Sequence, residues 1–134
     1  MHYIFCLLAT GETHTVREFT ERTFNELGIE LEWTGSNENE KGLIKNINLD
    51  KAKSLIDHSS NSKNYRFDFS DKLKKGDVVV GVDPNYYRPT EVDLLIGNPA
   101  KAEKELGWKA KTKFEELVQL MIKSDMEKVL KRGY

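Results

Sequence analysis

An α/β chain with short strands of mixed type and about four helices is the fold this sequence predicts, on three observations. A continuously apolar run from Tyr3 to Ala9 is followed by a capped amphipathic helix and then by an alternating segment, Ile29 to Thr34. A further strand pattern, Val78-Val79-Val80-Gly81-Val82, lies beyond the midpoint. The last third carries apolar residues at helical spacing. Strand, helix, strand is the order of an α/β layer.

Tyr3 to Ala9 is apolar at successive positions, as a strand covered on both faces reads. Thr10 to His14 makes a turn. Thr15 and Glu18 then form a Thr-x-x-Glu capping box that opens a helix. Its face carries Val16, Phe19, Thr23, Phe24 and Leu27, and Gly28 supplies a left-handed stop. Ile29, Leu31 and Trp33 alternate with Glu30, Glu32 and Thr34, which predicts a half-buried strand. Gly35 to Lys41 is polar and loop-like. Leu43 to Leu49 reads as a short strand, and Asp50 to Ile56 as a short helix capped by Asp50. His58 to Asn64 is a Ser/Asn-rich loop, and the alternation of Tyr65, Phe67 and Phe69 suits a strand or an edge hairpin. The valine strand ends at Asp83-Pro84-Asn85. Asn98 caps the next helix, with Pro99 in its first turn and Gly107 as its stop. Thr112 and Glu115 form a second capping box, and the final helix aligns Phe114, Leu117, Val118, Met121, Ile122, Asp125 and Val129. No repeat and no boundary interrupts residues 1–134, so one domain is expected.

Charged residues make up 32% of the 134, yet the net charge is −1. That balance gives no electrostatic footprint for nucleic acid or for an anionic membrane surface. The single cysteine, Cys6, has no intrachain partner, which fits a reducing, cytoplasmic setting. The apolar run at Tyr3 is too short to span a bilayer, and it lacks the basic flank and cleavage site of a signal peptide.

The segment Tyr87-Arg88-Pro89-Thr90-Glu91-Val92-Asp93 is the candidate binding site. Proline sets its own φ and keeps the preceding residue extended, so the chain reaches Arg88 extended and turns helically from Pro89. One turn at that spacing puts Arg88 and Glu91 on one side. Arginine forks two hydrogen bonds onto a phosphate, and a carboxylate accepts from both hydroxyls of a ribose. Together they would hold a nucleotide diphosphate by two handles. The same spacing also describes a solvated surface ion pair of little worth.

Catalytic and cofactor motifs are missing. No two glycines are separated by a single residue, which excludes a G-x-G-x-x-G dinucleotide fingerprint. Gly76 and Gly81 have P-loop separation, but Val82-Asp83 stands where Lys-Ser/Thr is needed. No tyrosine is followed four positions later by lysine, and His2, His14 and His58 have no ligand spacing with Cys6. No catalytic residue and no metal ligand is predicted.

Three blocks, taken together, resemble the C-terminal portion of the GDP-mannose 4,6-dehydratases. They are Leu8 to Phe19 (Leu-Ala-Thr-Gly-Glu-Thr-His-Thr-Val-Arg-Glu-Phe), Asn39-Glu40-Lys41-Gly42, and Val82 to Pro99, the last continuing to Ala102 and Leu106-Gly107-Trp108. Only about residues 43–77 match loosely. The resemblance implies the substrate lobe of an extended short-chain dehydrogenase/reductase, with the Rossmann half missing. It implies that the family converts GDP-mannose to GDP-4-dehydro-6-deoxy-mannose with NADP, whose binding site this chain lacks. Arg88 then resembles the arginine that meets the sugar-nucleotide diphosphate, and Glu91 the acid on the nucleotide ribose. For Arg17 and Glu18 the expectation stays structural: solvent face and cap. Trp33 and Trp108 are expected to pack rather than to stack on a base. A truncated or split chain is expected, inactive alone, with Tyr3 to Ala9 in a parallel sheet whose other strands lie elsewhere. The partners implied are GDP-mannose or a related GDP-sugar, and a separately encoded Rossmann half or a homo-oligomer.

Overall fold

The computed structural model describes residues 5–57, 72–88 and 95–132. Helix α1 spans Val16–Glu26, strand β1 Ile29–Thr34, strand β2 Lys41–Ile47 and helix α2 Leu49–Asp57. Strand β3, Val78–Gly81, follows, then helices α3, Ala100–Leu106, and α4, Phe114–Arg132. The result is a small mixed α/β fold in which three strands form one antiparallel sheet in the order β1-β2-β3.

Capping chemistry sets the ends of α1. The Thr15 carbonyl accepts from Phe19 N at 3.0 Å, and its hydroxyl accepts from Glu18 N at 3.0 Å. The box is one-sided, because the Glu18 carboxylate faces His14 Nδ1 at 3.1 Å. Past Leu27, Gly28 adopts φ +80. A Cβ there would lie 2.5 Å from the Asn48 carbonyl, so glycine is required twice over, by backbone and by space. The Gly28 carbonyl accepts from Asn48 N at 2.6 Å and ties the start of β1 to the end of β2.

The β1–β2 pair runs from Ile29 opposite Ile47 to Thr34 opposite Lys41, with one irregularity at Glu30/Leu31. The β2–β3 pair is shorter: Lys41 faces Gly81, Gly42 faces Val80 and Leu43 faces Val78, with a shift at Gly42/Leu43. Period-two patterning holds in β1, where Ile29, Leu31 and Trp33 turn inward and their polar neighbours outward. Apolar burial centres on Ile29, Ile44, Ala52, Ala102, Val118 and Ile122. Helix α1 packs on β1 and against α4.

Several expectations are corrected. Within the described residues Phe5 to Ala9 forms no strand, and Phe5 is 84% exposed. A continuous apolar pattern needs neighbours on both faces, and here the strands pair with one another in antiparallel fashion. The segment instead lies beside Gly97, where a Cβ would sit 2.5 Å from Ala9 Cβ. The order strand, helix, strand is therefore not a parallel crossover unit.

Helix α2 is capped by Asn48 and not by Asp50: Asn48 Oδ1 accepts from Lys51 N at 3.1 Å. Helix α3 begins one residue later than predicted. The Pro99 carbonyl accepts its first bond, from Glu103, while Asn98 Oδ1 accepts from Ala100 N at 3.0 Å. Helix α4 also begins one residue late, because the Lys113 carbonyl accepts from Leu117 N at 2.9 Å, and Thr112 therefore precedes the cap. The predicted stops at Gly28 and Gly107 hold, the latter with φ +63. The alternation of Tyr65, Phe67 and Phe69 lies outside the described residues. Among the described residues no helix is long and apolar enough to cross a membrane.

Two substitutions test the helix ends. Gly28→Ala is expected to cost about 1–2 kcal/mol from the left-handed backbone alone, with the clash at Asn48 adding to it. Thr15→Ala should cost about 1 kcal/mol through loss of the cap. Urea unfolding midpoints measure both, and an unchanged midpoint for Gly28→Ala would contradict the tight approach to Asn48.

Candidate functional site

Antiparallel register brings the end of β1, the start of β2 and the end of β3 to one edge of the sheet, because Lys41 faces both Thr34 and Gly81. From there the chain leaves β3 into the turn that carries Arg88. Asp83 builds that turn. Its carbonyl accepts from Tyr86 N at 3.0 Å and Tyr87 N at 3.1 Å, and its Oδ1 accepts from Asn85 N at 2.9 Å. A side chain that closes on its own backbone in this way stiffens a turn. Tyr87 is half-buried, and Arg88 is exposed. Glu91 lies outside the described residues, so the spatial relation of the predicted Arg88/Glu91 pair stays an expectation.

The same sheet edge holds an arrangement that sequence reasoning missed. The Arg17 guanidinium, from the first turn of α1, forms an ion pair with the Glu40 carboxylate just before β2. It also lies 5.2 Å from the centroid of the Trp33 ring, a cation–π arrangement. Trp33 Nε1 donates to Glu21 Oε1 at 2.6 Å, which fixes the orientation of the indole. Beside the ring, Gly42 leaves space: a Cβ there would lie 3.3 Å from Trp33 Cζ3 and 3.1 Å from Val80 Cβ. Arg17 therefore faces the sheet edge and is not simply a solvent-face residue. Arg17 and Glu40 belong to two of the blocks quoted above, but no local spacing rule joins them. Only the fold does.

A second polar cluster fastens the turn before α1 to the start of α4. Lys113 Nζ donates to Glu12 Oε1 at 2.7 Å and to the Thr10 carbonyl at 3.1 Å. His14 stacks on Phe114 with ring centroids 3.8 Å apart and planes 9° from parallel. The hydrogen bond from Lys113, aided by its charge and by His14, holds the Glu12 carboxyl below its ordinary range against a smaller opposing effect of desolvation. Among the described residues no group of three or more His, Cys, Asp or Glu side chains is placed to hold a metal ion. Among the described residues the site presents the exposed Arg88 guanidinium beyond a stiffened turn, and the second cluster sets the His14 imidazole beside the Glu12 and Glu18 carboxylates.

The Glu12 shift has a sign. A carboxyl held low in the folded state stabilises fully above its unfolded pKa, and that contribution is lost as pH falls through the folded pKa. Stability should therefore fall on acidification through the carboxylate range, and part of that fall should vanish in Lys113→Gln. Thermal melts across that range measure it. Because the pair is exposed, added salt should shrink the difference between parent and variant.

Comparison with known proteins agrees with the blocks. The family model described as GDP-mannose 4,6 dehydratase matches residues 4–121. The GDP-mannose 4,6 dehydratase of Dictyostelium discoideum is 42% identical over 121 residues, which is 90% of this chain and 26% of that protein. The GDP-mannose 4,6-dehydratase of Vibrio cholerae serotype O1 is 38% identical over 90% of this chain and 28% of its own length. The human GDP-mannose 4,6 dehydratase is 39% identical over 90% of this chain and 25% of its own length. The chain thus spans about a quarter of the length of the curated relatives it matches. Since the match runs through all three blocks, from the turn before α1 to the first half of α4, the chain belongs to the GDP-mannose 4,6-dehydratase family.

Proposed function

We propose that this chain is the sugar-nucleotide-binding lobe of a GDP-mannose 4,6-dehydratase, in the manner of an extended short-chain dehydrogenase/reductase. Arg88 grips the diphosphate of GDP-mannose or a related GDP-sugar, and Glu91 receives the hydroxyls of the nucleotide ribose. One observation carries the reading. The family match runs from residue 4 to residue 121, and within it the sheet edge gathers Arg17, Glu40 and the turn leading to Arg88 from separate blocks. An exposed guanidinium held out on a stiffened turn suits a doubly charged phosphate ligand.

The reaction attributed to the family, GDP-mannose to GDP-4-dehydro-6-deoxy-mannose, runs with NADP. The described residues do not fit that dinucleotide. Their sheet is antiparallel, and no helix opens from a parallel strand through a glycine turn. The start of α1 faces the Glu18 and Glu12 carboxylates through His14, the wrong charge for a pyrophosphate. No chemical step is assigned to this chain. Its residues bind and orient.

A second reading is favoured by the exposed apolar side chains of Phe5, Leu7 and Leu8 and of the neighbouring Leu95 and Ile96. In that reading the chain docks, as a cytoplasmic partner subunit, on a separately encoded Rossmann half. A homo-oligomer is the competing way to cover the same side chains.

Titration of GDP into the chain tests the first reading. Arg88→Ala should weaken GDP binding about tenfold, and more strongly at low salt than at high salt. Equal affinity of parent and variant would reduce Arg88 to a surface charge. Incubation with GDP-mannose and NADP should yield no 4-dehydro-6-deoxy product from the chain alone. Product formed without a partner would overturn the assignment as a binding lobe. Co-expression with a Rossmann-half fragment, followed by co-purification, checks the second reading.

A further inference from the structure

Trp33, Gly42 and Val80 form one row across the three strands, because Trp33 faces Gly42 and Gly42 faces Val80. All three side-chain positions point to the same face, and the space where a Gly42 Cβ would stand is bounded by the Trp33 ring on one side and by Val80 on the other. An aromatic ring that lies over a strand glycine replaces the packing the glycine lacks. The ring is also met by the Arg17 guanidinium, which Glu40 holds in turn. The ring is half-buried, and its one polar atom is committed to Glu21. Two strand pairs beyond the irregularity at Gly42/Leu43, Gly42–Val80 and Lys41–Gly81, attach the end of β3 to the sheet. That end delivers the chain into the Asp83 turn and to Arg88.

We infer that Trp33 is a positioning residue for the nucleotide loop: its indole, in contact with the Arg17 guanidinium and set against the bare backbone of Gly42, fixes where β3 ends and so where Arg88 is presented. The inference rests on the reading that Arg88 meets the diphosphate. It goes beyond that reading by assigning Trp33 and Arg17, neither of which needs to touch the ligand. A residue that merely fills the core would stabilise both ends of the sheet alike. A residue that positions the loop acts on one end.

Hydrogen exchange separates the two, with GDP affinity as a second readout. In Trp33→Leu, the amides of Tyr86 and Tyr87 should exchange about tenfold faster than in the parent, while the Asn48 amide at the opposite end of the sheet changes little. Trp33→Phe, which keeps a ring over Gly42, should restore most of the protection. GDP binding should weaken about tenfold in Trp33→Leu and by no further amount when Trp33→Leu is added to Arg88→Ala, the coupling expected of residues that act as a unit. Equal acceleration at both ends of the sheet, or additive losses in the double variant, would overturn the inference. Should Trp33→Leu fail to fold, Arg17→Gln gives the same exchange comparison from a half-exposed helix position. If the parent chain binds no GDP, the reading of Arg88 falls, while the exchange pattern still decides whether Trp33 holds the loop.

Discussion

Strand β2 is the constraint on which the molecule depends. It is the middle strand, so its backbone serves β1 on one side and β3 on the other. Ile44, fully buried, anchors it, with its amide donating to the Asp77 carbonyl and its carbonyl accepting from Gly76 N. A slip of one residue in this strand would turn Ile44 toward solvent and move Gly42 from under the Trp33 ring. Both the core and the sheet edge that leads to Arg88 therefore hang on a single register.

The buried apolar set is small, six residues among those described, and α1 contributes none of it. Order at the periphery comes from directed polar contacts: the Thr15 cap, the Asn48 cap, the Asp83 turn and the Glu12–Lys113 pair. Such contacts fix geometry more than they add stability, because exposed ion pairs are worth little individually. An open groove of about 300 Å³ between α1 and α4, lined by Phe19, Leu27, Met121 and Ile122 among others, shows how incompletely the two helices cover each other.

Much of the fold was legible in the sequence where a local rule decides the outcome. Thr15, Gly28 and Gly107 end helices through their own backbone chemistry, and the alternation in Ile29 to Thr34 reports a half-buried strand directly. Where the rule needs a distant partner, the sequence misled. Tyr3 to Ala9 has the composition of a doubly covered strand, but composition does not say what covers it. Asp50 and Thr112 are good capping residues near the real caps, Asn48 and Lys113, and only the first helical hydrogen bonds show which position is used. At the site, Arg88 and Glu91 are the residues the sequence singled out, while the Arg17–Glu40 pair and the Trp33 ring beneath the guanidinium are products of tertiary register.

Lys113 reaches back 101 positions to the Glu12 carboxylate and 103 to the Thr10 carbonyl. Contacts so far apart along the chain close late, because the loop entropy must be lost before the contact forms. During synthesis the β1–β2 hairpin, whose partners are near neighbours, has its residues in hand long before Lys113 is made. The contacts from Lys113 to the segment that precedes α1 therefore form only once the start of α4 is made. The hairpin joins near neighbours, whereas the turn at Gly11 is fastened to Lys113 from a distant part of the chain.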